Sequence, residues 1–134
     1  MAIQYSVTHQ NNNVADITTQ LSTTPFLLIY SGAAPAHCST AASGTLLATL
    51  TCSNPFAPAP SAGVLTASAI TSAATGNAGT AGYWRLCTSS AGTTVIAQGT
   101  VAVSAADLNF AGGIIWTLGE TIGITSFTIT ANGN

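Results

Sequence analysis

The chain has 134 residues and almost no charge: Asp, Glu, Lys and Arg together make up 3% of it, against about 25% in ordinary soluble domains. Asp16, Arg85, Asp107 and Glu120 are the formally charged side chains, and a single cation cannot neutralise a run of phosphates, so no nucleic-acid partner is expected. The longest strongly apolar run covers residues 26–30, far short of the ~20 residues that span a bilayer, so no membrane partner is expected either.

The length suits one domain, residues 1–134, able to hide roughly two-thirds of its unfolded surface. The apolar fraction is 47%, but Ala supplies 24 residues, which leaves few large side chains and favours a thin core between two sheets. A net charge of −2 gives little mutual repulsion, so self-association or life inside an assembly is expected. The start, Met-Ala-Ile-Gln-Tyr-Ser, has neither a basic segment nor an apolar one of secretory type, which predicts synthesis in a cytoplasm. Cys38, Cys52 and Cys87 are odd in number and widely spaced, with no Cys-x-x-Cys. They read as small buried or half-buried thiols, with one disulfide and a spare thiol as the alternative.

In chain order, residues 1–25 form a polar arm. Ile3, Tyr5 and Val7 alternate with Gln4, Ser6 and Thr8, the period of a half-buried strand that could complete its own sheet or pair with a neighbour's edge. From Pro25 onward short β-like segments follow at 26–30, 45–52, 64–71, 82–88, 93–103, 114–117 and 121–130. Gly- and Pro-containing turns separate them. No sustained helical period is visible, and the one candidate helix is a single turn at 104–108 capped by Ser104.

Within 93–103 the alternation sets Val95, Ala97, Gly99, Val101 and Val103 on one face, expected inward. Within 82–88, Trp84 and Leu86 share a face opposite Tyr83, Arg85 and Cys87. Placing the arginine in water puts Trp84 in the core. In the last segment the apolar face switches between Thr125 and Ser126, which implies a bulge or a move between sheets. Seven segments and the arm predict an all-β fold: an antiparallel β-sandwich of about eight strands over 26–130, jelly-roll-like, with an N-terminal arm. The Cys…Trp…Cys pattern of immunoglobulin domains is absent, and no repeat of solenoid type runs through the chain.

Catalytic chemistry finds little to work with. Asp107 and Glu120 are the one carboxylate pair in the β-rich half, and as loop-capping and turn residues they have an ordinary structural use. His37 and Cys38 are adjacent, and neighbours in a strand point apart; no Gly-x-Ser-x-Gly turn occurs. His9, His37 and the cysteines show no metal-ligand spacing. No catalytic residue, metal or cofactor is expected. Partner contacts are assigned instead to large side chains in the arm and loops: Ile3, Tyr5, Phe56 in its proline-rich loop, and Trp116.

Several stretches resemble small structural proteins of tailed phages: Gly44-Thr45-Leu46-Leu47-Ala48-Thr49-Leu50, Ser61-Ala62-Gly63-Val64-Leu65-Thr66-Ala67, the segment from Gly79 to Arg85, Ala106-Asp107-Leu108-Asn109, and Ile124-Thr125-Ser126-Phe127-Thr128-Ile129. The pattern is similar to the jelly-roll cement proteins of Bordetella-type short-tailed phages. That resemblance implies a non-enzymatic decoration protein, made in the host cytoplasm and sited on the outer capsid surface of the virion. It would bind the major capsid protein of an HK97-like shell, bridge adjacent capsomers and pair as a homodimer. A tail or fibre module for host attachment and a carbohydrate-active enzyme are the competing readings.

Overall fold

A computed structural model describes residues 3–21 and 23–131. Its first element departs from expectation. Residues Val7–Gln20 form a helix, α1, where the alternation of Ile3, Tyr5 and Val7 predicts a strand. Ser6 caps it, its side chain accepting from the His9 amide at 3.2 Å. Gln10, Val14, Ile17 and Leu21 then fall on one stripe at steps of four, three and four. Val14, Ile17 and Leu21 pack into the main core. The Asn11 side chain fixes the helix by accepting from the Gly63 amide at 2.8 Å.

The rest is β-rich. Strands β1 (Phe26–Ser31), β2 (Leu46–Thr51), β3 (Val64–Thr66), β4 (Ala73–Ala74), β5 (Gly79–Cys87), β6 (Val95–Ala102), β7 (Leu108–Asn109), β8 (Ile115–Trp116), β9 (Thr121–Ile122) and β10 (Thr128–Thr130) follow. The main sheet is ordered β2-β1-β5-β6-β7, with β8 paired to the start of β5. Its long pairings are antiparallel, but β6 and β7 run parallel, so the sheet is mixed. Two small pairs, β3–β10 and β4–β9, complete the structure.

The main core lies on the inner face of this sheet. Leu27 and Ile29 of β1, Ala48 and Leu50 of β2, and Trp84 and Leu86 of β5 meet Phe56, Leu65, Phe127 and the helix there. Each fully buried Leu, Ile or Phe contributes roughly 1.5–3 kcal/mol. Trp84 is in the core as expected, edge-on to Phe127 with ring centroids 4.9 Å apart. Gly99 opposite it on β6 makes room: a Cβ there would lie 2.7 Å from the Trp84 ring.

The structure revises two further expectations and bears out a third. The Val95-to-Val103 face is not uniform. The β5–β6 register shifts between Leu86 and Cys87, so Ile96 joins the inner core, Val95 packs on the other side and Val103 is exposed. No helical turn forms at 104–108. Ala105 has φ +56°, outside the right-handed helical region, and Leu108 enters β7 opposite Val101. The segment at 121–130 divides, its first end pairing with β4 and its second with β3. The face switch at Thr125 and Ser126 marks that passage between two sheets.

Candidate functional site

The second face of the main sheet holds what the sequence reading missed. Leu28 and Tyr30 of β1 and Tyr83, Arg85 and Cys87 of β5 share it. Strand alternation puts them there, and loop 32–44 crosses over them. Side chains of the sheet hold that loop by its backbone. The Tyr83 hydroxyl accepts from the Ser43 amide at 3.0 Å and donates to the Ser43 carbonyl at 2.5 Å. Gln98 Nε2 donates to the Pro35 carbonyl at 2.6 Å, and Arg85 Nη2 to the Thr40 carbonyl at 2.8 Å. Tyr30 and Tyr83 stack with ring centroids 5.1 Å apart.

Arg85, expected in water, is 2% exposed. Its guanidinium carbon sits 6.0 Å from the Tyr83 ring centroid, and Nε is sealed without a hydrogen-bond partner. Among the described residues its one recorded bond is to the neutral Thr40 carbonyl. The three carboxylates are engaged or placed elsewhere. Asp16 accepts from Gln20 on the helix, Asp107 from the Thr100 amide at 2.8 Å, and Glu120 from the Thr117 amide at 2.9 Å. Removing an ion from water costs several kcal/mol unless an opposite charge or a full set of hydrogen bonds offsets it. Arg85 also lines an open cleft of about 680 Å³ together with Tyr30, Thr40, Thr93, Thr94 and Val95.

The signal for this burial stood in the sequence. Tyr83 and Cys87 flank Arg85 at i±2, so its face of the strand is otherwise apolar. The solvation preference of arginine outweighed that pattern in the prediction.

The residues assigned to partner contact separate into two groups. Ile3 and Tyr5 are exposed, Ile3 at 73%, on the segment before α1, where the Tyr5 ring lies 4.6 Å from that of His9. Phe56 and Trp116 are buried, at 1% and 4%. Phe56 meets Phe127, and Trp116 meets Phe110 edge-on at 5.1 Å while donating to the Gly113 carbonyl. These two rings belong to the core. Val7, Ile115 and Leu118 are further exposed apolar side chains that the prediction did not select.

All three cysteines are free, Cys38 half-buried and Cys52 and Cys87 buried. Burial pushes the Cys52 thiol up to about 12. Burial likewise raises Cys87 to about 11, with Arg85 opposing and Cys38 adding to the shift. Both are poor sources of thiolate. Among the described residues no group of three or more His, Cys, Asp or Glu is arranged to hold a metal ion. None of their helices is long and apolar enough to cross a membrane. No family model, curated protein or solved structure matches the chain.

Proposed function

We propose that this chain is a non-enzymatic structural protein of a phage virion, a cement protein that binds the outer capsid surface and bridges major capsid protein subunits. In this reading the β-rich body serves as the jelly-roll-like block that the sequence resemblance implies, and the exposed segment before α1 is its gripping element. One observation carries the reading: large apolar side chains stand in water, while the carboxylate pair and two of the three thiols are taken up locally. Asp107 and Glu120 cap turns, and the Cys52 and Cys87 thiols are buried. Ile3, Tyr5, Val7, Ile115 and Leu118 are exposed on a surface with almost no charge. Such a surface favours association through apolar contact and backbone pairing, which depends weakly on salt.

Each copy needs only a modest affinity, because symmetry-related contacts across a shell act in parallel. Quantitative mass spectrometry of purified virions tests the reading by comparing this chain's copy number with that of the major capsid protein. A ratio near one, or a simple lattice fraction, is expected. A handful of copies indicates a tail or fibre module, and absence from virions overturns the virion role. An Ile3→Asn/Tyr5→Asn double variant should lower occupancy on the shell while leaving the thermal midpoint of the free protein unchanged.

A further inference from the structure

We propose that the cleft beside Arg85 is a binding site for a carboxylate group on a short aliphatic stem. The chain's single Arg or Lys side chain is buried, has Nε unbonded and is matched by no carboxylate of the described residues. A guanidinium carries five N–H donors in a planar fork, and Arg85 directs one recorded bond to the Thr40 carbonyl. A carboxylate is the planar, singly charged anion that such a fork accepts, whereas a phosphate near −2 would leave net charge in a half-closed site. The cleft supplies the remaining contacts: the hydroxyl-bearing Thr93 and Thr94 for the spare lone pairs, and Ala42, Ala91 and Val95 as apolar wall. Its volume of about 680 Å³ lies within the range of small-molecule sites.

Gln98 sharpens the assignment. It lies directly opposite Arg85 in the β5–β6 register, sends Nε2 to Pro35 and leaves Oε1 buried without a partner. A glutamate at this position, paired with Arg85 in the register, would offer the guanidinium an internal carboxylate in competition with a bound one. The site is independent of shell docking, since its residues lie on the covered face of the sheet rather than on the exposed segment before α1. The same chemistry arises from a free aliphatic acid or from a glutamate side chain of a protein partner.

Because the chain has one arginine, its Nε–Hε pair gives one arginine cross-peak in a nitrogen-15 correlation spectrum. The full chain is titrated with sodium acetate, blocked N-acetyl-glutamate methylamide and sodium phosphate, each referenced to sodium chloride at equal ionic strength. A saturable shift with acetate or blocked glutamate is expected, with a midpoint on the order of 1–10 mM. Acetate binding as tightly as blocked glutamate assigns a free acid; tighter binding of blocked glutamate assigns a partner's side chain. The Gln98→Glu variant should lose the response, as should Ala91→Phe, which fills the cleft from an exposed turn should the first variant not fold. No shift, a shift matched by chloride, or tighter binding of phosphate overturns the proposal.

Discussion

The two faces of the main sheet are built from the same strands yet held by different physics. The inner face is closed by side chains from many elements, Phe56, Leu65, Phe127 and the helix residues Val14 and Leu21 among them. The outer face is a small cluster, Leu28, Tyr30, Tyr83 and Cys87, covered by loop 32–44, which is tied down by two hydrogen bonds to Tyr83 and one each from Arg85 and Gln98. Burial is equally deep on both sides, with Leu27 and Leu28 each almost fully enclosed. What differs is the cover. A wall of packed side chains resists collapse, whereas a loop held at a few points can follow its support.

The largest break in this comparison is expected at Gly82, where β5 meets the loop. A Cβ there would stand 1.8 Å from the Gly32 carbonyl oxygen, a backbone atom that cannot swing aside. Gly82→Ala should therefore destabilise by about 3 kcal/mol or more, read from chemical denaturation. The paired truncations Leu27→Ala and Leu28→Ala come next. The inner one should cost about 3–4 kcal/mol and the outer about 2 kcal/mol, because the loop can settle into part of the cavity. Equal costs would show the loop to be as rigid as the core.

Tyr83→Phe removes a hydroxyl that both accepts from and donates to Ser43. A loss of about 1–2 kcal/mol is expected, with faster proteolysis confined to loop 32–44. The smallest effect is confined to alkaline solution. A thiol whose folded value is raised contributes stability that is fully present below its unfolded value near 9.0 and is lost as pH rises through the folded one. Both thiols titrate from about 9 in the unfolded chain, so their contribution to urea midpoints should be flat below about pH 9, fall most steeply between there and about 11, and fall less steeply from 11 to about 12, where Cys52 alone of the two still contributes. Cys87→Ala should make that fall shallower between about pH 9 and 11 and leave its onset in place. Tyr30, whose hydroxyl burial also raises, retains its own share.

The β-rich body was legible because its longest strands carry strong periodic signals. The apolar run ending at Tyr30 is buried on both faces, and Trp84 and Leu86 alternate with Tyr83 and Cys87. The helix was not. Its stripe begins at Gln10, a polar residue, and only Val14, Ile17 and Leu21 carry the apolar period, while Ile3, Tyr5 and Val7 offer a competing alternation. Capping by Ser6 and the Asn11 tie to Gly63 decide between them. Of the partner-contact residues, Ile3 and Tyr5 stand on the surface, exposed among the described residues. Phe56 packs inside because its loop folds back against Phe127, and Trp116 because β8 pairs with β5 and sets its ring against Phe110. Arg85 was misplaced for a physical reason as well, since a lone cation is ordinarily solvated and its burial depends on a loop more than forty residues away in sequence.

The sheet grips loop 32–44 through main-chain groups, the carbonyls of Pro35 and Thr40 and both the amide and the carbonyl of Ser43. Recognition of this kind does not read the side chains between them. Ala36 and His37 are exposed and lie outside the cleft beside Arg85, so their side chains are where sequence can drift neutrally without altering the body that carries them.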